Sequence, residues 1–65
     1  MKIILNGEMS EVSDGVHLSE LIEKLGLDGP VAAMVNDVVI QREKLASRRL
    51  QPGDRVELLR MMGGG

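Results

Sequence analysis

The residues best suited to chemistry stand at the end of the sequence, where Gly63, Gly64 and Gly65 follow a strand-forming run that begins at Arg55. Glycine lacks a Cβ, so an extended Gly-Gly segment fits a channel too narrow for other residues and can bring an α-carboxylate to a partner's reactive atoms. This pattern predicts that the glycine segment is an arm that a partner enzyme acts on as its substrate. Terminal glycines are also typical of a frayed end that never packs, so the glycines alone leave both interpretations open.

The rest of the chain offers no recognisable catalytic or metal-binding set. His17 is the only histidine, and the sequence contains no cysteine. Without a partnering base or acid pair, nucleophilic and metal catalysis lack their usual groups. No glycine-rich phosphate-binding pattern occurs either, so we expect no catalytic residue, no metal and no bound cofactor, and any ATP to be used by a partner. His17 directly precedes an apolar stripe and is expected to be a helix N-cap.

Five strand-forming runs and one helical stripe must position this terminus. Leu18, Leu21, Ile22 and Leu25 recur at helical spacing, and Gly26 is placed to end that helix in a left-handed conformation. Asn-Gly at 6–7 and Asn-Asp at 36–37 predict two tight hairpins, and Pro-Gly at 52–53 predicts a type II turn before the last strand. The polar connection 41–50 has Leu45 as its expected anchor. The prediction is an α+β fold, with one main helix packed on one face of a mixed sheet of four to five strands.

Size and composition restrict the possible partners. The 65 residues predict one domain over 1–62 and a flexible glycine tail over 63–65. No aromatic residue is available to stack on bases, so nucleic acid is not an expected partner. No apolar run approaches the length that spans a membrane, and no targeting segment is recognisable, so we expect a cytoplasmic protein without membrane contact.

Charge is distributed unevenly along the chain. Residues 1–40 hold two basic and seven acidic side chains, a net charge of −5, whereas residues 41–65 hold six basic and three acidic ones, a net charge of +3. A basic surface near the tail would favour docking onto an acidic partner or toward a phosphate-bearing cofactor. Exposed charges that are simply solvated are the equally acceptable alternative.

Strand alternation predicts an apolar surface on the side of the sheet away from the helix. If Val56 and Leu58 face the helix, Leu59 and Met61 face the other way. Ile4 and Met34 face this same side of the sheet if the residues next to them in their strands face the helix. With the first, third and last strands side by side, Ile4, Met34 and Leu59 would form a binding patch. Isolated exposed aliphatic side chains are the alternative interpretation.

Together these features resemble the ThiS family of sulfur carriers in thiamine biosynthesis. The resemblance covers essentially the whole chain. It is carried by the run 3–7, the short leucine helix, Val35-Asn36, residues 40–43, residues 50–54 and the final Gly-Gly.

Membership implies the ubiquitin-like β-grasp fold, with the chain acting as a protein cosubstrate and not as an enzyme. It implies that Gly65 is adenylated by an E1-like adenylyltransferase (ThiF-like) that uses ATP, and is then converted to a thiocarboxylate. The sulfur would come from a donor such as a cysteine desulfurase and would enter the thiazole ring at a thiazole synthase (ThiG-like). Gly63, Gly64 and Gly65 would thread the partners' active sites, and Met61 and Met62 would adapt to both partners because methionine re-packs easily.

Three alternatives stay open on the sequence. Carriers for other sulfur acceptors share the fold and the tail; those that serve molybdopterin synthesis have a proline-containing approach to Gly-Gly and usually a longer chain rich in aromatics. A ubiquitin-like modifier would use the same activation and join its tail to lysines. An interaction module would bind through the sheet and have a tail without chemistry.

Overall fold

The computed structural model describes residues 1–61. Met62, Gly63, Gly64 and Gly65 lie outside the described residues, and so does the predicted tail. The elements follow one another in the predicted order. The strands are β1 (Lys2–Leu5), β2 (Glu8–Glu11), β3 (Val31–Val35), β4 (Val38–Ile40) and β5 (Arg55–Arg60), the helix is α1 (Leu18–Lys24), and a single 3-10 turn spans Arg42–Lys44.

The five strands form one mixed sheet with β5 at its centre. Their order across the sheet is β2-β1-β5-β3-β4. β5 runs parallel to β1 and antiparallel to β3, while β1–β2 and β3–β4 are antiparallel hairpins. β1, β5 and β3 therefore lie side by side, which is the arrangement that the predicted patch requires, and the last strand before the tail has a partner on each side.

The core is aliphatic and lies between the sheet and α1. The helix contributes Leu18 and Leu21, and the strands contribute the alternate residues predicted to face inward. The buried apolar residues are Ile3, Val16, Leu18, Leu21, Ala33, Val35, Leu50, Val56 and Leu58. Successive side chains of a strand point to opposite faces of the sheet, so Ile4, Met34 and Leu59 lie on the side away from the helix.

The second hairpin turns where the sequence predicts it. Asn36 and Asp37 both have positive φ, 51° and 69°, as a two-residue turn of the primed type requires. In the register that results, Val35 lies opposite Val38 and Met34 opposite Val39.

The helix begins and ends at the predicted residues. His17 is the N-cap, and the Glu20 carboxylate accepts hydrogen bonds from the His17 backbone N–H at 3.2 Å and faces its ring Nδ1 at 2.6 Å. At the other end Gly26 has φ of 68° and donates to the Glu23 carbonyl, while Leu27 donates to Ile22. This pair of bonds is the Schellman arrangement, in which a left-handed glycine ends the helix and the next residue folds back onto it.

Replacing Glu20 by glutamine tests the electrostatic part of this cap. The hydrogen bonds from the His17 side chain and backbone lower the pKa of the Glu20 carboxyl. A carboxyl with a lowered pKa in the folded state stabilises above its unfolded pKa, and this stabilisation is lost as pH falls through the folded one. We expect E20Q to unfold at a lower temperature than the parent chain near neutral pH, and the difference to shrink below roughly pH 4. Thermal unfolding across that range measures it, with exposed Glu23→Gln as the control. A difference that stays constant with pH would contradict the prediction.

The connection between β4 and β5 is anchored differently from the prediction. Leu45 is half-buried and packs against the core, but Leu50 is only 2% exposed and belongs to the core itself. The Leu50 N–H donates to Val16, and the Arg48 carbonyl accepts from Leu18. Leu50 is thus the main anchor. The sequence assigned it to the end of a polar run, where neither alternation nor helical spacing shows burial.

Candidate functional site

The base of the predicted tail is the C-terminal end of β5. The Met61 N–H donates to the Pro30 carbonyl at 2.9 Å, so the pairing with the β3 side continues one residue beyond the strand. The last described residue is therefore tied to the middle of the sheet.

Two asparagine side chains complete the hydrogen bonding of β5. The Asn6 Oδ1 accepts from the Leu58 N–H at 2.9 Å, and the Asn36 Oδ1 accepts from the Arg55 N–H at 2.9 Å. Both asparagines also supply the positive φ of the two hairpin turns. Sequence reasoning recognised them only as turn residues. Their second role joins two hairpins, distant in sequence, to the strand that precedes the tail.

Asp54, which directly precedes β5, is a buried carboxylate that the sequence analysis assigned only to a turn. It is 8% exposed and accepts from the Asn36 Nδ2 at 3.0 Å and from the Gln51 N–H at 2.8 Å. Its two oxygens therefore hold both the type II turn and the β3–β4 turn against the start of β5. A buried polar group is tolerated at low cost only when its partners are present, as they are here.

Replacing Asp54 by asparagine tests this arrangement. One carboxylate oxygen becomes an amide NH₂, which cannot accept, so one of the two donors facing it loses its partner. We expect D54N to reduce the free energy of unfolding by about 1–3 kcal/mol, the usual cost of an unsatisfied buried polar group. Urea unfolding measures it, with exposed Asp28→Asn as the matched control. Equal stability of the two variants would contradict the prediction.

A cavity of about 350 Å³ lies where β5 ends. Met61, which is 55% exposed, forms part of its wall together with Pro30 and Val31 at the start of β3. Arg42 is the one charged residue among the described residues that line it. This end of the domain therefore combines an apolar concavity with a cation, next to the point from which the tail departs.

The structure places Ile4, Met34 and Leu59 on the same side of the sheet, away from α1. Leu59 is 70% exposed, whereas Ile4 and Met34 are half-buried. Met34 lies opposite Glu57, so it is a diagonal neighbour of Leu59. Ile4 lies opposite Arg55, four residues before Leu59 on β5. Met34 and Leu59 are thus brought together, while Arg55 and Glu57 separate Ile4 from Leu59.

Val39 belongs to the same surface and was not identified from the sequence. It lies opposite Met34 and is 67% exposed. The sequence contained the information needed to place Val39 there, because a two-residue turn at Asn36-Asp37 determines which residues of the hairpin share a face. We call Met34, Val39 and Leu59 the sheet surface.

The functional features of the described residues are two surfaces suited to binding, the cavity at the end of β5 and the sheet surface. Across residues 1–61 no three histidine, aspartate or glutamate side chains come close enough together to hold a metal ion. The His17 ring is engaged with Glu20 at the helix cap. Over the same residues, no helix is long and apolar enough to cross a membrane.

Comparison with known proteins gives consistent matches along the chain. The model of the ThiS family matches residues 3–65. The sulfur carrier protein ThiS of Escherichia coli is 30% identical over 66 residues, covering all of both chains. A thiazole synthase of Paramagnetospirillum magneticum is also 30% identical over 66 residues, but the chain spans only 20% of that protein's length.

Solved structures agree with these matches. The crystal structure of a thiamine biosynthesis protein (ThiS) from Geobacter metallireducens superposes with a TM-score of 0.84 at 32% identity, and each chain is covered completely. A solution structure of a thiamine biosynthesis protein from the same organism gives a TM-score of 0.83, also at 32% identity, with 88% of its chain covered.

Proposed function

The chain belongs to the ThiS family of sulfur carriers in thiamine biosynthesis, and on this premise we propose that Gly65 is the residue that carries the sulfur. The observation that carries the proposal is the family match, which continues through the final glycines to residue 65. The structure adds that Met61, two residues before the first of these glycines, donates a hydrogen bond to the Pro30 carbonyl. The ubiquitin-like β-grasp fold, with its one helix and mixed five-stranded sheet, is that of the family's solved structures.

The chemistry required at Gly65 explains why a carrier needs so little machinery of its own. A carboxylate is a poor electrophile, and joining it to AMP supplies a good leaving group. Adenylation releases pyrophosphate from ATP. The outer sulfur of a persulfide on the donor then displaces AMP from the acyl carbon, and a second thiol cleaves the resulting S–S bond, which leaves a thiocarboxylate on the chain and a disulfide on the donor. We propose that an E1-like, ThiF-like adenylyltransferase binds the ATP and performs the first step, with a cysteine desulfurase as the sulfur source. The chain is then a cosubstrate, consumed and regenerated at its own terminus in the cytoplasm.

The match to a thiazole synthase indicates the second partner. In the Paramagnetospirillum protein, a segment similar to this whole chain makes up about a fifth of one polypeptide. Joining two modules in one chain raises the effective concentration of each at the other, which is useful when they act on each other. We propose that this chain delivers its sulfur to a separate, ThiG-like thiazole synthase. Gly63, Gly64 and Gly65 thread the active sites of both enzymes, because only glycine fits a narrow channel.

The sheet surface is our proposed docking site for these enzymes. Met34, Val39 and Leu59 form an apolar area on the side of the sheet that α1 leaves uncovered. Met61 lines the neighbouring cavity, so the area leads toward the tail. Ile4 is placed at its far side, beyond Arg55 and Glu57, and Met62 lies outside the described residues. Docking through this surface would hold the tail at the reactive centre and raise its local concentration there.

Mass spectrometry tests the carrier function directly. The purified chain is incubated with a ThiF-like enzyme, ATP, a cysteine desulfurase with cysteine, and a thiol reductant that cleaves the S–S bond formed during transfer. We expect the intact mass to increase by the difference between sulfur and oxygen, and fragmentation to place the change at Gly65. Omission of ATP is the control. A chain that is never modified, or one that becomes joined to lysines of other proteins, would contradict the proposal, and the second result would indicate a ubiquitin-like modifier.

Replacing Leu59 by aspartate tests the docking surface. Leu59 is 70% exposed, so the change removes little buried area and should leave the folded domain intact. We expect the Kd for the ThiF-like enzyme to rise at least about tenfold, because a charge would be desolvated in an apolar interface. Isothermal titration calorimetry measures it. Met9→Asp is the matched control, since Met9 is 72% exposed on the same side of the sheet but two strands away. Equal affinity of the two variants would contradict this docking site.

A further inference from the structure

The two outer strands of the sheet, β2 and β4, are its free edges and differ in charge. Over the described residues, β2 pairs only with β1 and β4 only with β3, so each has one side whose backbone N–H and C=O groups meet no strand. β2 carries Glu8 and Glu11 and no basic residue. The strand β4 is entirely apolar. Exposed edges are usually protected by charges, proline or a bulge, and β4 has none of these.

The groove beside β4 is basic. It has a volume of about 410 Å³ and is walled by Val39 and Ile40 on one side and by the connection 41–48 on the other. Lys44 and Arg48 line it, and no acidic side chain among the described residues does. Neither side chain forms an ion pair within residues 1–61.

These charges lie on the helix side of the sheet. The connection is tied to the start of α1, because the Leu18 and Ser19 N–H groups donate to the Arg48 and Leu45 carbonyls. A strand added to β4 would therefore meet two cations on its helix-facing side.

We propose that the β4 edge binds the β2 edge of a second copy of this chain, continuing the sheet from one molecule to the next. The strand directions fit without any reorientation. β1 and β5 run one way and β2 and β3 the other, so β4 runs opposite to β2. A second copy placed alongside in the same orientation thus presents β2 antiparallel to β4, with its helix on the same side.

The side chains match in this arrangement. Glu8 lies opposite Leu5 and shares its helix side, which directs its carboxylate toward Lys44 and Arg48 of the neighbouring copy. Met9 shares the other side with Ile4, and Val39 with Met34, so these two apolar residues meet on the helix-free side. Met9 and Val39 are 72% and 67% exposed in the single chain. In the contact between two copies, Met9 of one copy packs against Val39 of the other.

Charge disfavours the symmetric alternatives. Pairing β4 with β4 brings two basic grooves together, and pairing β2 with β2 brings two acidic strands together. Like charges facing each other across strands are destabilising. A β4-to-β2 contact is heterologous, so it produces open, extendable assemblies and not a closed dimer. With only three residues in β4, the contact is weak and depends on protein concentration.

Sedimentation velocity of the full chain from micromolar to millimolar concentration tests the proposal. We expect the weight-average sedimentation coefficient to rise to that of a dimer and beyond, and to return to the monomer value in high salt, which screens the charges. Glu8→Lys alone, and Lys44→Glu with Arg48→Glu, are each expected to stay monomeric. An equimolar mixture of these two proteins is expected to associate again, because each edge then meets its complement. Glu23→Lys on the exposed face of α1 is the matched control and should associate like the parent chain.

Circular dichroism verifies that each variant is folded, and NMR locates the contact. Concentration-dependent amide shifts are expected along β2 and β4. A parent chain that remains monomeric to millimolar concentration would overturn the proposal, as would association that survives Glu8→Lys or shifts confined to Leu59 and its neighbours. The carrier function does not depend on this contact, so failure of either proposal leaves the other standing.

Discussion

We expect a chain without Gly65 to lose sulfur loading completely and to unfold at the same temperature as the parent chain. Loading needs an acyl carbon that reaches the activating enzyme's nucleotide, and a shortened tail places that carbon about one residue, or roughly 3.5 Å, too far back. A misplacement of even about 1 Å at a reacting centre can cost two orders of magnitude in rate. Stability should not change, because among residues 1–61 every buried core residue lies between Ile3 and Leu58.

The matched control keeps all 65 residues and changes only the terminal acid. A semisynthetic chain with Gly65 as its carboxamide lacks the nucleophilic oxygen that attacks ATP, so it should bind the ThiF-like enzyme with unchanged affinity but never be loaded. Intact-mass measurement, calorimetric binding and thermal unfolding provide the three readouts. Normal activity of the amidated chain would reject Gly65 as the reacting residue and favour an interaction module. Loss of binding along with loading would place the acid group in recognition.

The second large effect is expected at Leu50. This side chain is 2% exposed and packs among the core residues, so Leu50→Ala should reduce the free energy of unfolding by about 2–5 kcal/mol. That is a large fraction of the roughly 5–15 kcal/mol that holds a domain together. A measurable unfolded population at 37 °C is therefore the expected state of this variant.

Leu45→Ala is the matched control, because the same residue type lies in the same connection but is only half-buried. Its cost should be clearly smaller, since less apolar area is removed and solvent can fill part of the space. Guanidinium or urea unfolding of both variants measures the difference. A larger loss for Leu45→Ala would show that the sequence-based choice of anchor was right and that the packing of Leu50 contributes little.

Local sequence patterns predicted the elements of this fold. The stripe of Leu18, Leu21, Ile22 and Leu25 gave the helix, and Gly26 its end. Two-residue turns gave both hairpins, and alternation gave the buried side of β5. These features depend on backbone sterics and on neighbours a few residues apart, so a window of the sequence contains the information that decides them.

The candidate site was predictable only in part, because some of its features are local in sequence and others depend on how distant strands align. The glycine run and the family resemblance are features of the sequence, and the family matches agree with them. Gly63, Gly64 and Gly65, to which the sequence assigns the reaction, lie outside the described residues. The apolar side of the sheet followed from alternation, but the separation of Ile4 from Leu59 depends on how β1 and β5 are aligned.

The sequence by itself determined the order of the elements, the turns and the face of each strand, because these are set by short-range interactions. Tertiary structure decided the burial of Leu50 and Asp54, the hydrogen bonds from β5 to the Asn6 and Asn36 side chains, and the position of the basic groove beside β4. The Asn6 side chain reaches the Leu58 N–H across 52 positions of sequence. No local sequence pattern predicts such a contact, because it forms only when the hairpins have packed against the last strand.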